Sequence, residues 1–216
     1  MNTTLIIRSA FAVQQAILSH EADIELLDRA IGDGDHFINV RRGCEVVAGL
    51  APDLSGLMPS EALQKIGVKL LGTIGGASGP LIASFFLAMG RTLDGIVEPE
   101  RHDFAAAFAA GVEAIKLRGK ADVGEKTMLD VLIPAARLLT RLVDEDAALA
   151  DICAQMPDEA RQNMLATKDM IATKGRAYFL GERALGHIDP GCKTCEVAIA
   201  AVCGVVSQPD LKQEAV

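Results

Sequence analysis

The chain of 216 residues contains no tryptophan, one tyrosine and seven phenylalanines. Half of it is hydrophobic, so the apolar content falls to Ala, Leu, Ile and Val. A β-sandwich would draw more heavily on aromatic and β-branched residues; this composition suits packed helices. Positive charge is also short: 21 Lys and Arg stand against 29 Asp and Glu, a net charge of -8. Such a surface repels a phosphate backbone and argues against nucleic-acid binding. An anionic ligand would need a local positive site, supplied by metal ions or helix N-termini. The five cysteines, Cys44, Cys153, Cys192, Cys195 and Cys203, are odd in number and scattered, which does not suit a disulfide framework. With no signal peptide in view, the expected setting is the reducing cytoplasm.

The stretch from Leu70 to Gly90 carries no charge and is long enough to invite a membrane span. Gly72, Gly75, Gly76, Gly79 and Pro80 interrupt its middle, and a glycine loop in lipid would leave backbone groups unsatisfied. The expectation is two buried helical pieces around a turn, and no membrane partner. No break in composition divides the chain, so residues 1–216 are read as a single domain, with a loose polar tail over 207–216.

Apolar periodicity predicts helices nearly throughout. A first amphipathic helix ends near Ser19, and a short one covers Ile24 to Arg29. Another runs from His36 towards Leu50. Ala51-Pro52-Asp53 reads as loop, and Ser60 reads as the N-cap of a helix reaching Leu71. Further helices are expected over Ser78 to Met89, Ala105 to Leu117, Lys126 to Val143 bent at Pro134, Pro157 to Thr173, and Thr194 to Val206. That makes about eight helices with no convincing strand: an all-α chain.

Four features carry possible chemistry. Asp28, Asp33 and Asp35 bracket a turn, Ile31-Gly32-Asp33-Gly34-Asp35. Carboxylates so crowded repel one another unless a cation sits among them or some are protonated. A calcium loop starting at Asp33 fails, because its sixth and twelfth positions would be Ile38 and Cys44. Magnesium, which takes a few carboxylates plus phosphate oxygens, fits better. An acidic surface turn is the competing reading. His36 and Asn39 begin the next helix, where free N–H groups suit a phosphate; a simple helix cap is the alternative. Gly75-Gly76-Ala77-Ser78-Gly79-Pro80 allows backbone N–H groups to turn towards an anion, or is only a tight helix-to-helix turn. It is neither a Walker loop nor a dinucleotide fingerprint. Finally, Lys174-Gly175-Arg176, Gly181-Glu182-Arg183 and Gly186-His187-Ile188-Asp189-Pro190-Gly191 fill a long segment read as non-helical, of the kind that forms binding loops or lids. The Cys192-Lys193-Thr194-Cys195 pair lacks a second pair for zinc and a β-α-β setting for redox chemistry, and is read as incidental. No nucleophile triad is legible.

Taken in order, these blocks resemble the L subunit of the dihydroxyacetone kinase family. The resemblance rests on Leu27-Asp28, Ile31-Gly32-Asp33-Gly34-Asp35-His36, Asn39 and Arg42-Gly43, then on the glycine-rich block with Phe85-Phe86. It continues through Arg118-Gly119-Lys120-Ala121, Lys126-Thr127-Met128 with Asp130, Lys174-Gly175-Arg176-Ala177, Leu180-Gly181-Glu182-Arg183 and Gly186 to Gly191. It covers residues 24 to 195. The resemblance implies an eight-helix antiparallel up-and-down barrel with ADP at one end. By it, Asp28, Asp33 and Asp35 hold two Mg2+ that bridge the phosphates. His36, Phe37, Ile38, Asn39, Ala77 and Ser78 meet the phosphates. Gly119, Thr127 and Met128 lie near the nucleotide, and Arg176, Asp189, Pro190 and Gly191 close over it.

The same resemblance implies a phosphotransferase with no protein nucleophile, active only with partners. A phosphohistidine subunit would rephosphorylate bound ADP to ATP, and a K subunit would hold dihydroxyacetone. Two other readings stay open at this stage. One is the L component of a sibling kinase for another triose or tetrose, using exchangeable ATP. The other is a nucleotide-state sensor that binds a transcriptional regulator. Three departures adjoin the expected pocket: Phe37 where the family commonly has Gly, Glu125 for a usual Asp, and Cys192 to Cys195 in place of a small Ala-Thr-Ser stretch.

Overall fold

A computed structural model of the chain describes residues 2–76 and 78–208. Among these residues the fold is all-α: ten α-helices, two 3-10 segments and no strand. The helices are α1 (Thr3–Ser19), α2 (Glu21–Ile31), α3 (His36–Gly49), α4 (Ala51–Leu54), α5 (Pro59–Leu71), α6 (Ser78–Thr92), α7 (Arg101–Gly119), α8 (Leu129–Asp144), α9 (Leu149–Ala166) and α10 (Pro190–Val206). No helix among the described residues is long and apolar enough to cross a membrane. The uncharged stretch from Leu70 to Gly90 is shared between the end of α5, the glycine-rich turn and α6. Residues 209–216, most of the expected tail, lie outside the described residues.

Setting aside α2 and the one-turn α4, each helix packs on the next in a circuit. It runs α1 on α3, α3 on α5, then α5 through α10 in order, and α10 back on α1. Eight helices therefore close a ring of neighbours, while α2 packs on α3, α10 and the 3-10 segment Ala177–Ala184. Small residues allow the tightest approaches. A Cβ on Gly90 would lie 2.8 Å from the carbonyl oxygen of Ser60 across the α5–α6 seam. A Cβ on Gly111 would lie 2.6 Å from the Phe85 ring across the α6–α7 seam. Phe85 in turn meets Phe86 and Phe108 edge-on, at 5.3 and 5.6 Å between ring centres. Phe85, Phe86, Phe104 and Phe108 thus gather where α6 meets α7.

Several boundaries differ from the periodicity, each for a local reason. The helix before Leu71 starts at Pro59, with Met58 as its N-cap, and Ser60 is already buried inside it. Proline suits the first helical position, and Glu61 accepts a hydrogen bond from the Met58 N–H at 2.9 Å. Pro52 likewise sits in the first turn of a short helix rather than a loop. Pro157 does not open a helix but lies inside α9, whose buried line Ile152, Met156, Ala160 and Met164 runs through it. Packing along that stripe outweighs the missing N–H. The stretch Lys126 to Met128 is not helix: Lys126 has φ +58° and α8 begins at Leu129, with Pro134 inside it. α10 begins at Pro190, four residues before the expected start at Thr194.

Candidate functional site

The turn between α2 and α3 brings Asp28, Asp33 and Asp35 together, with one carboxylate oxygen from each within 4.8 Å of the others. Asp28 is buried, at 4 % exposed, whereas Asp33 and Asp35 face outward. Asp28 is fixed by its neighbours, since Oδ2 accepts the His36 N–H at 3.0 Å. Gly32 is forced by the same carboxylate: a Cβ there would lie 1.8 Å from Asp28 Oδ1. Gly34 has φ +81°, a region that glycine enters freely. A bond from the Asp33 side chain, burial and the Asp33 charge hold the Asp35 carboxyl above its ordinary value, while a bond from Asn39 opposes them. Three hard oxygen donors, one buried and two open, form a donor set that suits a divalent cation with remaining positions for ligand oxygens.

Around this cluster the N-terminal ends of α3, α8 and α10 meet. His36 Nε2 lies 2.8 Å from Thr194 Oγ1, linking α3 to α10. Burial pulls the His36 imidazole below its usual value, against the pull of Asp28 and Asp35. The Cys192 thiol donates to the Thr127 carbonyl at 2.8 Å, linking α10 to the turn before α8. A Cβ on Gly191 would lie 3.6 Å from Met128 Cβ, so Thr127-Met128 and Asp189-Pro190-Gly191 form one surface. Asp189 caps α10 by accepting the Cys192 N–H at 2.7 Å, and burial among its neighbours pushes its carboxyl up to about 6. The glycine-rich turn joins from the other side. A Cβ on Gly75 would lie 3.5 Å from Asn39 Oδ1, and one on Gly79 would run into the Ile74 carbonyl at 2.3 Å. Gly119 lies beside Leu81 of α6, where a Cβ would touch it at 3.4 Å. Helix N-termini bring partial positive charge to an end that also carries the acidic cluster, and part of it is met by side chains: Asp28 takes the His36 N–H and Asp189 the Cys192 N–H.

The predicted residues therefore gather at one end, with two qualifications. Phe37 is 2 % exposed and its ring packs with Ile17, Ile24 and Val197 in the core, so only its backbone is available to a ligand. Ala77 lies outside the described residues. Ile38 is exposed on the first turn of α3, and Ser78 opens α6. Arg176 reaches the cluster from the segment after α9: its Nε lies 2.7 Å from Asp33 Oδ2. That segment is not the irregular connector expected. It contains the 3-10 turn Thr167–Asp169 and the 3-10 segment Ala177–Ala184, kinked at Gly181, whose apolar side packs on Ile31 of α2.

A model of the DAK2 domain matches residues 30–204. The chain belongs to the DAK2 domain family. Within it, the chain is 38% identical over 182 residues to a protein of Listeria innocua named PEP-dependent dihydroxyacetone kinase 2, ADP-binding subunit DhaL. That match covers 83% of this chain and 84% of the other. It is 38% identical over 194 residues to the PTS-dependent dihydroxyacetone kinase, ADP-binding subunit DhaL, of Lactococcus lactis, covering 89% and 92%. The Escherichia coli K12 subunit of the same kind is 34% identical over 165 residues, covering 76% and 79%. Among solved structures, the dihydroxyacetone kinase from C. freundii in complex with AMP-PNP and Mg2+ superposes with a TM-score of 0.71 at 25% identity. That match takes in 93% of this chain and 34% of the other, so the chain spans about a third of that enzyme's length.

Three contributors escaped the sequence reading. Thr194, expected as a helix start and as part of an incidental cysteine pair, holds His36. Cys192, from the same pair, braces Thr127. Both thiols are raised, Cys195 to about 12, which removes them as nucleophiles. Lys126 stands in the Lys126-Thr127-Met128 motif, whose spacing does not disclose that its ammonium is buried. Glu125 accepts from Thr173 Oγ1 at 2.7 Å and from the Asp122 N–H at 2.6 Å, so its extra methylene serves a loop contact.

Proposed function

We propose that this chain is the nucleotide-carrying subunit of a dihydroxyacetone kinase that takes its phosphoryl group from a phosphohistidine protein. The observation that carries the reading is the convergence of Asp28, Asp33 and Asp35 at the mouth of three helix N-termini. An acidic cluster beside electropositive backbone is a poor place for an anion alone and a good one for an anion with its dications. The identity to ADP-binding subunits over most of both chains supports the same reading.

In this reading the three aspartates hold two Mg2+, and the N–H groups at the start of α3 and α6 face the phosphates. The ions, when bound to these aspartates, would supply neutralisation of phosphate charge, and the nucleotide would supply the acceptor for the phosphoryl group. The chain itself contributes position and electrostatics, with no nucleophile of its own. His36, held by Thr194, presents a neutral ring to the phosphate side. Arg176, paired with Asp33, would be within reach of the phosphate side. Met128 and Gly191 form the wall beside the nucleotide. Dihydroxyacetone is held by a separate K subunit, and donor and acceptor chains approach the open end in turn.

Native mass spectrometry of the purified protein tests this. Wild type is expected to carry one ADP and two Mg2+. Asp33→Ala and Asp35→Ala are expected to arrive empty, and variants that keep stoichiometric nucleotide would refute the assignment.

A further inference from the structure

Lys126 is 1 % exposed, and the other lysines among the described residues lie nearer the surface. Its ammonium donates to three backbone carbonyls: Thr167 at 2.5 Å, His187 at 2.7 Å and Met170 at 3.3 Å. Two acceptors bound one 3-10 turn and the third lies on the segment before α10. Thr167 follows α9, Met170 follows the 3-10 turn, and His187 lies two residues before Asp189. The backbone of Lys126 itself is left-handed, at φ +58°, so the side chain is aimed inward at a conformational cost.

The neighbours show what this arrangement serves. The residue after Lys126 is Thr127, whose N–H donates to Asp130 Oδ2 at 2.7 Å and whose carbonyl accepts the Cys192 thiol. Asp130 also accepts the Gly124 N–H at 2.5 Å. On the other side, Thr167 Oγ1 donates to the Met164 carbonyl at 2.6 Å and accepts the Asp189 N–H at 3.1 Å. The Lys126 ammonium therefore adds a second tie, beside the Cys192 thiol, between Thr127-Met128 and the segment that leads into Asp189-Pro190-Gly191. Burial lowers the ammonium's pKa, while Asp189 and Asp130 favour the charged form.

We infer that Lys126 is a positioning residue for the nucleotide end: its buried ammonium gathers the carbonyls of Thr167, Met170 and His187 and so sets Asp189-Pro190-Gly191 against Thr127-Met128. It touches no ligand itself. Without it, three carbonyls lose their shared donor and Asp189-Pro190-Gly191 loosens against Thr127-Met128, although the carboxylate cluster, built on α2 and α3, stays in place. The inference rests on the nucleotide reading above.

The test compares wild type, Lys126→Met and Lys126→Arg. Release of MgADP is followed by stopped flow, and amide protection by hydrogen exchange. Lys126→Met is expected to release MgADP on the order of tenfold faster or more. It should expose the Thr127, Asp189 and Cys192 amides, while amides of α1, α5 and α6 exchange as before. Lys126→Arg, which keeps the charge, is expected to recover part of the retention. Should Lys126→Met fail to fold, Lys126→Gly, which suits the left-handed backbone, makes the same comparison. Unchanged release with unchanged loop protection in the neutral variant would overturn the positioning role. Uniform loss of protection throughout the molecule would overturn it too, because that marks a role in stability alone. Wild type that holds no MgADP would instead bring down the nucleotide reading.

Discussion

Arg176 and Asp33 form an ion pair, Nε to Oδ2 at 2.7 Å, that fastens the segment after α9 to the acidic turn before α3. The guanidinium side chain is 70% exposed, so the pair adds little to stability, on the order of 0–1 kcal/mol. Its importance is positional, because it places a cation at the edge of a carboxylate cluster where phosphate oxygens are expected. Arg176→Ala should fold with a melting midpoint close to wild type. It should release MgADP about tenfold to a hundredfold faster, the loss of one charge-assisted hydrogen bond of about 1.5–3 kcal/mol. Stopped-flow release beside a thermal melt checks both halves.

Gly32 touches the same cluster from below. A methyl group there would need the space of Asp28 Oδ1, 1.8 Å away. Gly32→Ala should push the buried carboxylate out of register and cost about 1–3 kcal/mol by overpacking. It should also abolish the two-metal mass increment in native mass spectra. A variant that still carries both metals would mean that the Asp28 carboxylate has room to move.

Removal of the dications should loosen the whole protein. A ligand present at about a hundredfold its dissociation constant contributes about 2.7 kcal/mol, which for a chain of this length lowers the midpoint on the order of 5–10 °C when lost. Excess chelator followed by differential scanning calorimetry measures it. Asp35→Ala, which has no site to empty, should melt at one temperature with or without chelator.

Asp189 gives a pH signature. Its carboxyl is raised from the ordinary 3.8 to about 6 in the folded chain, mainly by burial, so the folded state binds a proton more tightly than the unfolded one. Stability from this group therefore rises as pH falls from about 6 towards 3.8 and is constant outside that window. In denaturant titrations at several pH values, wild type should gain on Asp189→Asn on acidification through that interval. A difference independent of pH would place the carboxyl in water.

The core and the site should come apart under Gly90→Ala. The new Cβ would lie 2.6 Å from Gln64 Cγ and 2.8 Å from the Ser60 carbonyl, wedging α5 from α6 far from the aspartates. A loss of about 1–3 kcal/mol is expected, with MgADP release unchanged.

The all-α class was legible because amphipathic periodicity and the shortage of aromatic residues act locally, segment by segment. The boundaries were less so. Pro157 has the local character of a helix start, yet its flanks are held in one helix by the buried stripe of Ile152, Met156, Ala160 and Met164. Lys126 extends an apolar-periodic pattern, yet its backbone turns left-handed because its ammonium has three carbonyls to reach. Phe37 is adjacent in sequence to the aspartates and belongs to the core, since successive residues on a helix point about 100° apart.

By itself, the order of residues determined that two aspartates and two glycines would share a turn ahead of a helix, with Asp28 shortly before it, and that a long cationic segment would follow much later. Both are short-range facts, set by turn chemistry and helix period. Only the tertiary structure decided that His36 would rest on Thr194, Cys192 on Thr127 and Arg176 on Asp33. Those contacts exist because the ring of helices closes, α10 on α1, and brings helices distant in sequence together at a cost in loop entropy that packing offsets. No local pattern records which distant partner a side chain will meet.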